Sequence, residues 1–355
     1  MSAWFNIGEY LAKSTILGRL LDSGYRYVIH PKETAAGYTA AQLTFGFDPG
    51  DLRRYGADPT GVTASDAAMT KALTIMGPTG FNGGTIKLPG GTYLFNNAWN
   101  LNQLSGVTIE GAGNATAGAG AGTLCKYGGT GATHWIQLTS AIGCRIRCMA
   151  LQPTLTTFTG AIVRCGNDGT HGDSALCSVE EVTFDATVDC YHLDLDKCIE
   201  FSARSCAFLS GATSVKGQAS AGGSYSNVIE FQRCEWVQCQ TAPINYLGQS
   251  WAFRNCTFED LASGAPGAIA GASAVAPAVG LCVQDCWFGD ATATVGTWIA
   301  GSLNAALIAG NYFAGNVGGT TAIALSQAAG VAIIGNTFTA CLNAIDFAAG
   351  NCYGI

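Results

Sequence analysis

Beyond about residue 84 the chain is built from short runs in which apolar and polar positions alternate, each run closed by Gly, Asn or Ser. Alternation with period two marks a half-buried β-strand. The runs repeat. CIEFSARSCAF (198–208), SNVIEFQRCEW (226–236), GQSWAFRNCTF (248–258), VGLCVQDCWF (279–288), AALIAGNYF (305–313) and GVAIIGNTF (330–338) each end in an aromatic residue with Cys or Asn two places before it. The ends are 28, 22, 30, 25 and 25 residues apart, and VEEVTF, ending at Phe184, is an earlier copy. Constant strands at variable spacing describe a β-solenoid whose loops differ in length.

Alternation then assigns faces. Phe231, Phe253, Val283, Ile308 and Ile333 form one expected inward row, and Ile229, Trp251, Leu281, Ala306 and Val331 a second. Cys206, Cys234, Cys256 and Cys286 fall into one column, which Asn311 and Asn336 continue. Stacked amides there would satisfy buried backbone groups at a bend. A second strand per coil is expected in CYHLDLD (190–196), TSVKG (213–217), PINYLG (243–248), GTWIAG (296–301), TAIALS (321–326) and NAIDF (343–347). Residues 112–122, 217–227 and 262–279 are rich in small residues and are expected to be loops.

The stretch before the repeats differs. Asp58-Pro59-Thr60-Gly61 has turn chemistry, and Ser65 or Asp66 can cap a helix whose Ala68, Ala72, Leu73 and Met76 share one face and which Gly77-Pro78 ends. Two strands, 85–88 and 92–95, follow around Pro89-Gly90-Gly91. At the N-terminus, Trp4, Phe5, Ile7, Leu11, Ile16, Leu17, Leu20 and Leu21 have helical spacing. Tyr25–Ile29 reads as a strand broken by His30-Pro31, and 34–50 as a linker or arm. The expected division is an attachment segment over 1–50, the opening and cap of the solenoid over 51–100, and the solenoid itself over 101–355.

Composition narrows the function. Hydrophobic residues make up 48% and charged residues only 12%, with 48 Gly, which suits many strands and tight turns and excludes a disordered or coiled-coil chain. The net charge of −7 leaves no basic footprint for nucleic acid. Fifteen Cys in stacked repeat positions read as buried free thiols, since no paired CxxC or His motif has zinc spacing. No apolar run is long enough to cross a membrane and no signal-type leader is visible, so synthesis in a reducing cytoplasm is expected.

The order YGADPTG, helix, GGTIKLPGGTYLF over 51–95 resembles the N-terminal opening of the pectate-lyase-like right-handed parallel β-helix family, in the form found in bacteriophage tailspikes and polysaccharide depolymerases. The resemblance implies an all-β, right-handed parallel β-helix with a small, partly helical N-terminal anchor. It implies a homotrimer in the phage tail, made in the host cytoplasm, that contacts other tail or baseplate proteins through 1–50. Its expected ligand is bacterial surface polysaccharide, with cleavage of that polysaccharide as a further expectation. A non-catalytic virion protein and a bacterial glycan lyase or hydrolase are the alternatives. No cofactor or metal is expected.

Candidate chemistry follows. Hydrolysis of a glycosidic bond uses two carboxyl groups. Asp194 and Asp196 alternate with Leu193 and Leu195 and should share an outward face, with Cα atoms roughly 6.5–7 Å apart. They belong to a cluster of Asp185, Asp189, His192 and Glu200, with Lys216 and Asn245 on the next rungs. Glu230 is a third catalytic candidate. Arg204, Gln232, Arg254 and Gln284 align as an outward row whose guanidinium and amide groups suit sugar hydroxyls or carboxylates. His192, Arg204, Gln232, Asn245, Arg254 and Trp298 are the expected substrate contacts, although alternation leaves Trp298 open between sugar platform and core.

Overall fold

The computed structural model describes residues 28–77, 83–114, 122–129, 134–167, 169–186, 190–211, 213–218, 226–239, 244–246, 248–261, 268–271, 278–289, 296–315, 319–347 and 352–353. The helices expected before residue 25, most of the strand expected at 25–29, and Asp189 lie outside these residues.

Strands stack in parallel, each coil on the one before it, in a right-handed parallel β-helix. Three sheets run its length. The first holds His134–Thr139, Ala161–Gly166, Tyr191–Asp196, Val215–Gln218, Ile244–Tyr246 and Ile269–Gly271. The second holds Cys198–Arg204, Ser226–Gln232 and Gly248–Arg254 with their successors. The third holds Ala207–Ser210, Glu235–Val237, Thr257–Glu259 and Trp287–Gly289.

Two corners flank the second sheet, and their backbone is left-handed on every rung. Glu200 and Ser205, Val228 and Arg233, Ser250 and Asn255, Gly280 and Asp285, Ala305 and Gly310, and Gly330 and Gly335 have φ between 51 and 75°. The constant interval of five residues explains why this part of each repeat is legible in the sequence. The column after the second corner is the expected thiol and amide row. The Sγ atoms of Cys234, Cys256 and Cys286 donate to the carbonyls of Ala203, Phe231 and Phe253 at 3.4, 3.5 and 3.5 Å. Asn311 and Asn336 donate equivalently to Val283 and Ile308 at 3.0 and 2.8 Å, and Asn311 Oδ1 accepts the Cys286 N–H at 2.9 Å. The described cysteines are free.

The closing aromatic residues form one stack through the core. Phe184, Phe208, Trp236, Phe258, Phe288, Phe313 and Phe338 lie face to face, with centroids 4.6–5.3 Å apart from rung to rung. The rows through Phe231 and Phe253 and through Ile229 and Trp251 pair in the expected register.

The helix Asp66–Ile75 closes the start of the spiral, burying Ala68, Met69, Ala72 and Ile75. Ser65 precedes it without a side-chain cap bond, its Oγ accepting instead from the Asp58 N–H. Pro31 opens the short helix Pro31–Ala35, with His30 and Glu33 forming a reciprocal capping box. Residues 34–50 are not an unpacked arm: Leu43 and Phe45 enter the core, and a fully buried ion pair fastens the segment. Arg54 Nε and Nη2 donate to the Glu33 carboxylate at 2.6 and 2.7 Å, and Nη1 and Nη2 donate to the carbonyls of Phe47 and Val28. Burial alone would raise the Glu33 pKa, but these donors hold it below its ordinary value.

Candidate functional site

The first sheet carries its polar chemistry in one outward column. Asn100, Gln137, Arg164, Asp194, Lys216 and Asn245 occupy six successive rungs in direct register. Asp194 is flanked along its strand by Leu193 and Leu195, which face inward and are fully buried. Beyond Asn245 the column becomes Ala270, Ala300 and Ala324.

At the middle of this column His134, Arg164, Tyr191, Asp194 and Lys216 line a cleft of about 280 Å³. Asp194 is only 2% exposed, with Arg164 on the rung before it and Lys216 on the rung after. Arg164 Nη2 donates to Asp196 Oδ2 at 3.1 Å. The Lys216 ammonium lies 4.9 Å from the centre of the Tyr191 ring. His134 accepts the Ala161 N–H on Nδ1 at 3.2 Å, which places the proton of the neutral ring on Nε2. Burial, reinforced by the Arg164 and Lys216 charges, lowers its pKa to about 4, so the imidazole is neutral at pH 7.

Of the residues expected to act, Asp194, Asp196, Lys216 and Asn245 are brought to this face. His192 is not. The alternation breaks at the corner where the strand begins, so His192 and Leu193 both face inward. The imidazole is fully buried against the edge of the stacked Phe184 and Phe208 rings, and burial lowers its pKa to about 3. Trp298 is core as well, fully buried with Nε1 donating to the Ala314 carbonyl at 3.0 Å. The acidic cluster is dispersed: Asp185 lies in the third sheet and accepts from Gln152, and Glu200 sits at a corner.

Glu230, Arg204, Gln232 and Arg254 belong to the second sheet, away from Asp194. Glu230 bridges Arg254 at 2.7 Å and Arg204 at 3.8 Å. The expected row Arg204, Gln232, Arg254, Gln284 is in register and extends backwards through Glu180, Arg147, Glu110, Lys87 and Asp51. From Asp51 to Arg204 its charges alternate in sign on every rung.

Sequence reasoning missed Arg164, Tyr191 and His134. The coils of His134 and Arg164 lack the Cys-x-aromatic ending, and Tyr191 stands at the very start of the Asp194 strand. The triplets Ile136-Gln137-Leu138, Val163-Arg164-Cys165, Leu193-Asp194-Leu195 and Val215-Lys216-Gly217 carry the signal that aligns them. A larger hollow of about 540 Å³ lies beside the cap helix, where Met69, Leu73, Trp99 and Leu104 line it. Its one carboxylate, Asp66, already accepts the N–H groups of Asn96 and Asn97. Among the described residues no cluster of His, Cys, Asp or Glu is arranged to hold a metal ion, and no helix is long and apolar enough to cross a membrane.

The family model for rhamnogalacturonase A/epimerase, pectate lyase-like proteins matches residues 51–266, which contain the opening, the cap helix and the whole cleft. The chain belongs to that family. Among solved structures it is similar to the A-module of the mannuronan C-5 epimerase AlgE6 from Azotobacter vinelandii, at 15% identity over 85% of this chain and 97% of that one, with a TM-score of 0.50. It is also similar to ORF18 of Geobacillus virus E2, at 13% identity over 84% of this chain and a TM-score of 0.49. The match spans 62% of that viral protein. A third is Pantoea stewartii WceF, a glycan biofilm modifying enzyme with a bacteriophage tailspike-like parallel β-helix fold, at 11% identity, 81% of this chain, 38% of that one and a TM-score of 0.44. At such identities the likeness is one of fold. No curated protein sequence matches the chain.

Proposed function

We propose that this pectate-lyase-like chain is a polysaccharide-processing subunit of a phage tailspike or tail fibre. In this reading it holds an acidic sugar of a bacterial surface glycan between Arg164 and Lys216 and breaks the adjoining linkage by elimination. The observation that supports it most is the convergence of two cations, a phenol and a neutral imidazole on one cleft of the first sheet.

The chemistry follows from those groups. Elimination removes the proton from the carbon beside the sugar carboxyl, breaks the bond to the neighbouring sugar oxygen and leaves a double bond in the ring. Negative charge builds on the carboxyl group, where Arg164 and Lys216 stabilise it. The Asp194 carboxylate, which also holds the two cations in place, accepts that proton; the Tyr191 hydroxyl donates one to the leaving sugar oxygen, and the His134 Nε2–H hydrogen-bonds the developing charge. Hydrolysis fits less well, because it needs one carboxyl protonated at working pH. Asp194 lies between two cationic rungs and Asp196 is already engaged by Arg164 at 3.1 Å, so both carboxylates face cations of the cleft.

The virion setting rests on the resemblance of 51–95 to tailspike openings, and with it come the homotrimer and attachment through 1–50. A second reading is retention of glycan without cleavage, which the Arg204–Gln284 row favours. Incubation with host glycan separates the two. Elimination yields products with new ultraviolet absorbance, and Lys216→Met and Asp194→Asn are expected to lower their release at least ~100-fold with the fold intact. Unchanged release from both variants removes the cleft as the active site. Removal of residues 1–27, which keeps the buried Glu33–Arg54 pair and its bond to Val28, is expected to abolish incorporation into particles, and normal incorporation would refute that role.

A further inference from the structure

The outward column of the first sheet has a charge pattern that bears on which glycan fits it; this step rests on the polysaccharide reading above. Six rungs at ~4.8 Å make a track of about 24 Å along the spiral axis. Its ends are neutral amides, Asn100 and Gln137 at one end and Asn245 at the other. Charge is confined to three adjacent rungs, Arg164, Asp194 and Lys216, with Asp196 beside them. The local balance is two cations against two carboxylates, one of which already engages Arg164. Past Asn245 the track continues through Ala270, Ala300 and Ala324 to the carboxylate of Asp346.

A polymer with a carboxylate on every sugar would bring a negative charge to each rung. Only the central rungs could answer it. The charges at either end would meet amides and alanines, on a protein that already carries a net charge of −7. A chain with one acidic sugar among neutral ones has the complementary pattern. Its carboxylate meets Arg164 and Lys216, and its flanking hydroxyls meet the Gln137, Asn100 and Asn245 amides, which both donate and accept.

We infer that the substrate is a heteropolysaccharide with isolated acidic sugars, bound along the axis of the β-helix, and that Gln137 and Asn245 select neutral sugars on either side of the acidic one.

The test uses the full chain and measures affinity by calorimetry for a panel of bacterial acidic heteropolysaccharides. The panel includes gellan, whose linear repeat has a single glucuronate among neutral sugars. Each glycan is compared with its carboxyl-reduced form and with polygalacturonate. At least one heteropolysaccharide should bind, its carboxyl-reduced form should bind roughly tenfold or more weakly, and polygalacturonate should bind more weakly than the intact heteropolymer. The Asn245→Lys variant, at an exposed position, should gain affinity for polygalacturonate. Tightest binding to polygalacturonate by the unaltered protein would overturn the inference, as would equal binding of intact and reduced glycans. The expected binding pattern without ultraviolet-absorbing products supports the inference and refutes cleavage. Failure of every glycan to bind refutes both.

Discussion

Burial decides what three ionisable side chains can do. Asp194 is almost wholly covered yet lies between two cationic rungs, so its carboxylate organises the cleft. His134 opens on the same cleft and is kept neutral. His192 is packed against aromatic rings, and burial keeps its imidazole neutral. Its pKa of about 3 in the folded state lies below the ordinary 6.5, so between those values the unfolded chain binds the extra proton. Stability from this residue is therefore full above about pH 6.5 and is lost as pH falls toward 3, by roughly 3–5 kcal/mol over the whole window. Denaturant titrations at pH 7 and pH 4.5 should show the loss, and His192→Phe, which keeps an aromatic ring at the site, should reduce it. An unchanged pH dependence in that variant would place the acid sensitivity elsewhere. Val228 is a β-branched residue at φ 56° and is 48% exposed. Val228→Gly is expected to stabilise the fold by about 1 kcal/mol, measured as a rise in unfolding midpoint.

At the scale of elements, the stacked rings and the charged column hold one coil in register with the next. Phe258 lies between Trp236 and Phe288 at 4.6 and 4.7 Å, and Phe258→Ala should cost about 3–5 kcal/mol. In the second sheet, Glu180 separates Arg147 from Arg204. Glu180→Lys would set three cations on consecutive rungs, and its unfolding midpoint should fall at low salt and partly recover at high salt. A salt-independent loss would mean packing, not charge, is what changed. The second and third sheets were legible in the sequence because two left-handed corners five residues apart force a fixed repeat ending in Cys or Asn and then a ring. The first sheet was only half legible. Its strands follow loops of unequal length, so Asp194 with Lys216 is placed by the sequence while Arg164, one coil upstream, is not. Strict alternation sends His192 outward, whereas it and Leu193 both turn inward; alternation leaves Trp298 open, and its full burial makes it core.

Across the whole molecule, one end is closed and polar chemistry is divided between two faces. The buried Arg54–Glu33 pair ties the segment from Val28 to the cap, and Arg54→Met is expected to destabilise by about 3–5 kcal/mol by leaving Glu33 buried without its partner. The second sheet offers a column whose charges are compensated from rung to rung, while the first offers a cleft in which cations, phenol and imidazole meet. The most direct measurement is a crystal structure of the Lys216→Met variant, expected to be inactive, with a bound fragment of the heteropolysaccharide that the unaltered protein retains. The account predicts the sugar chain along the Asn100–Asn245 track, its carboxyl group at Arg164. A chain lying instead on the Arg204–Gln284 row, with the cleft untouched, would contradict it.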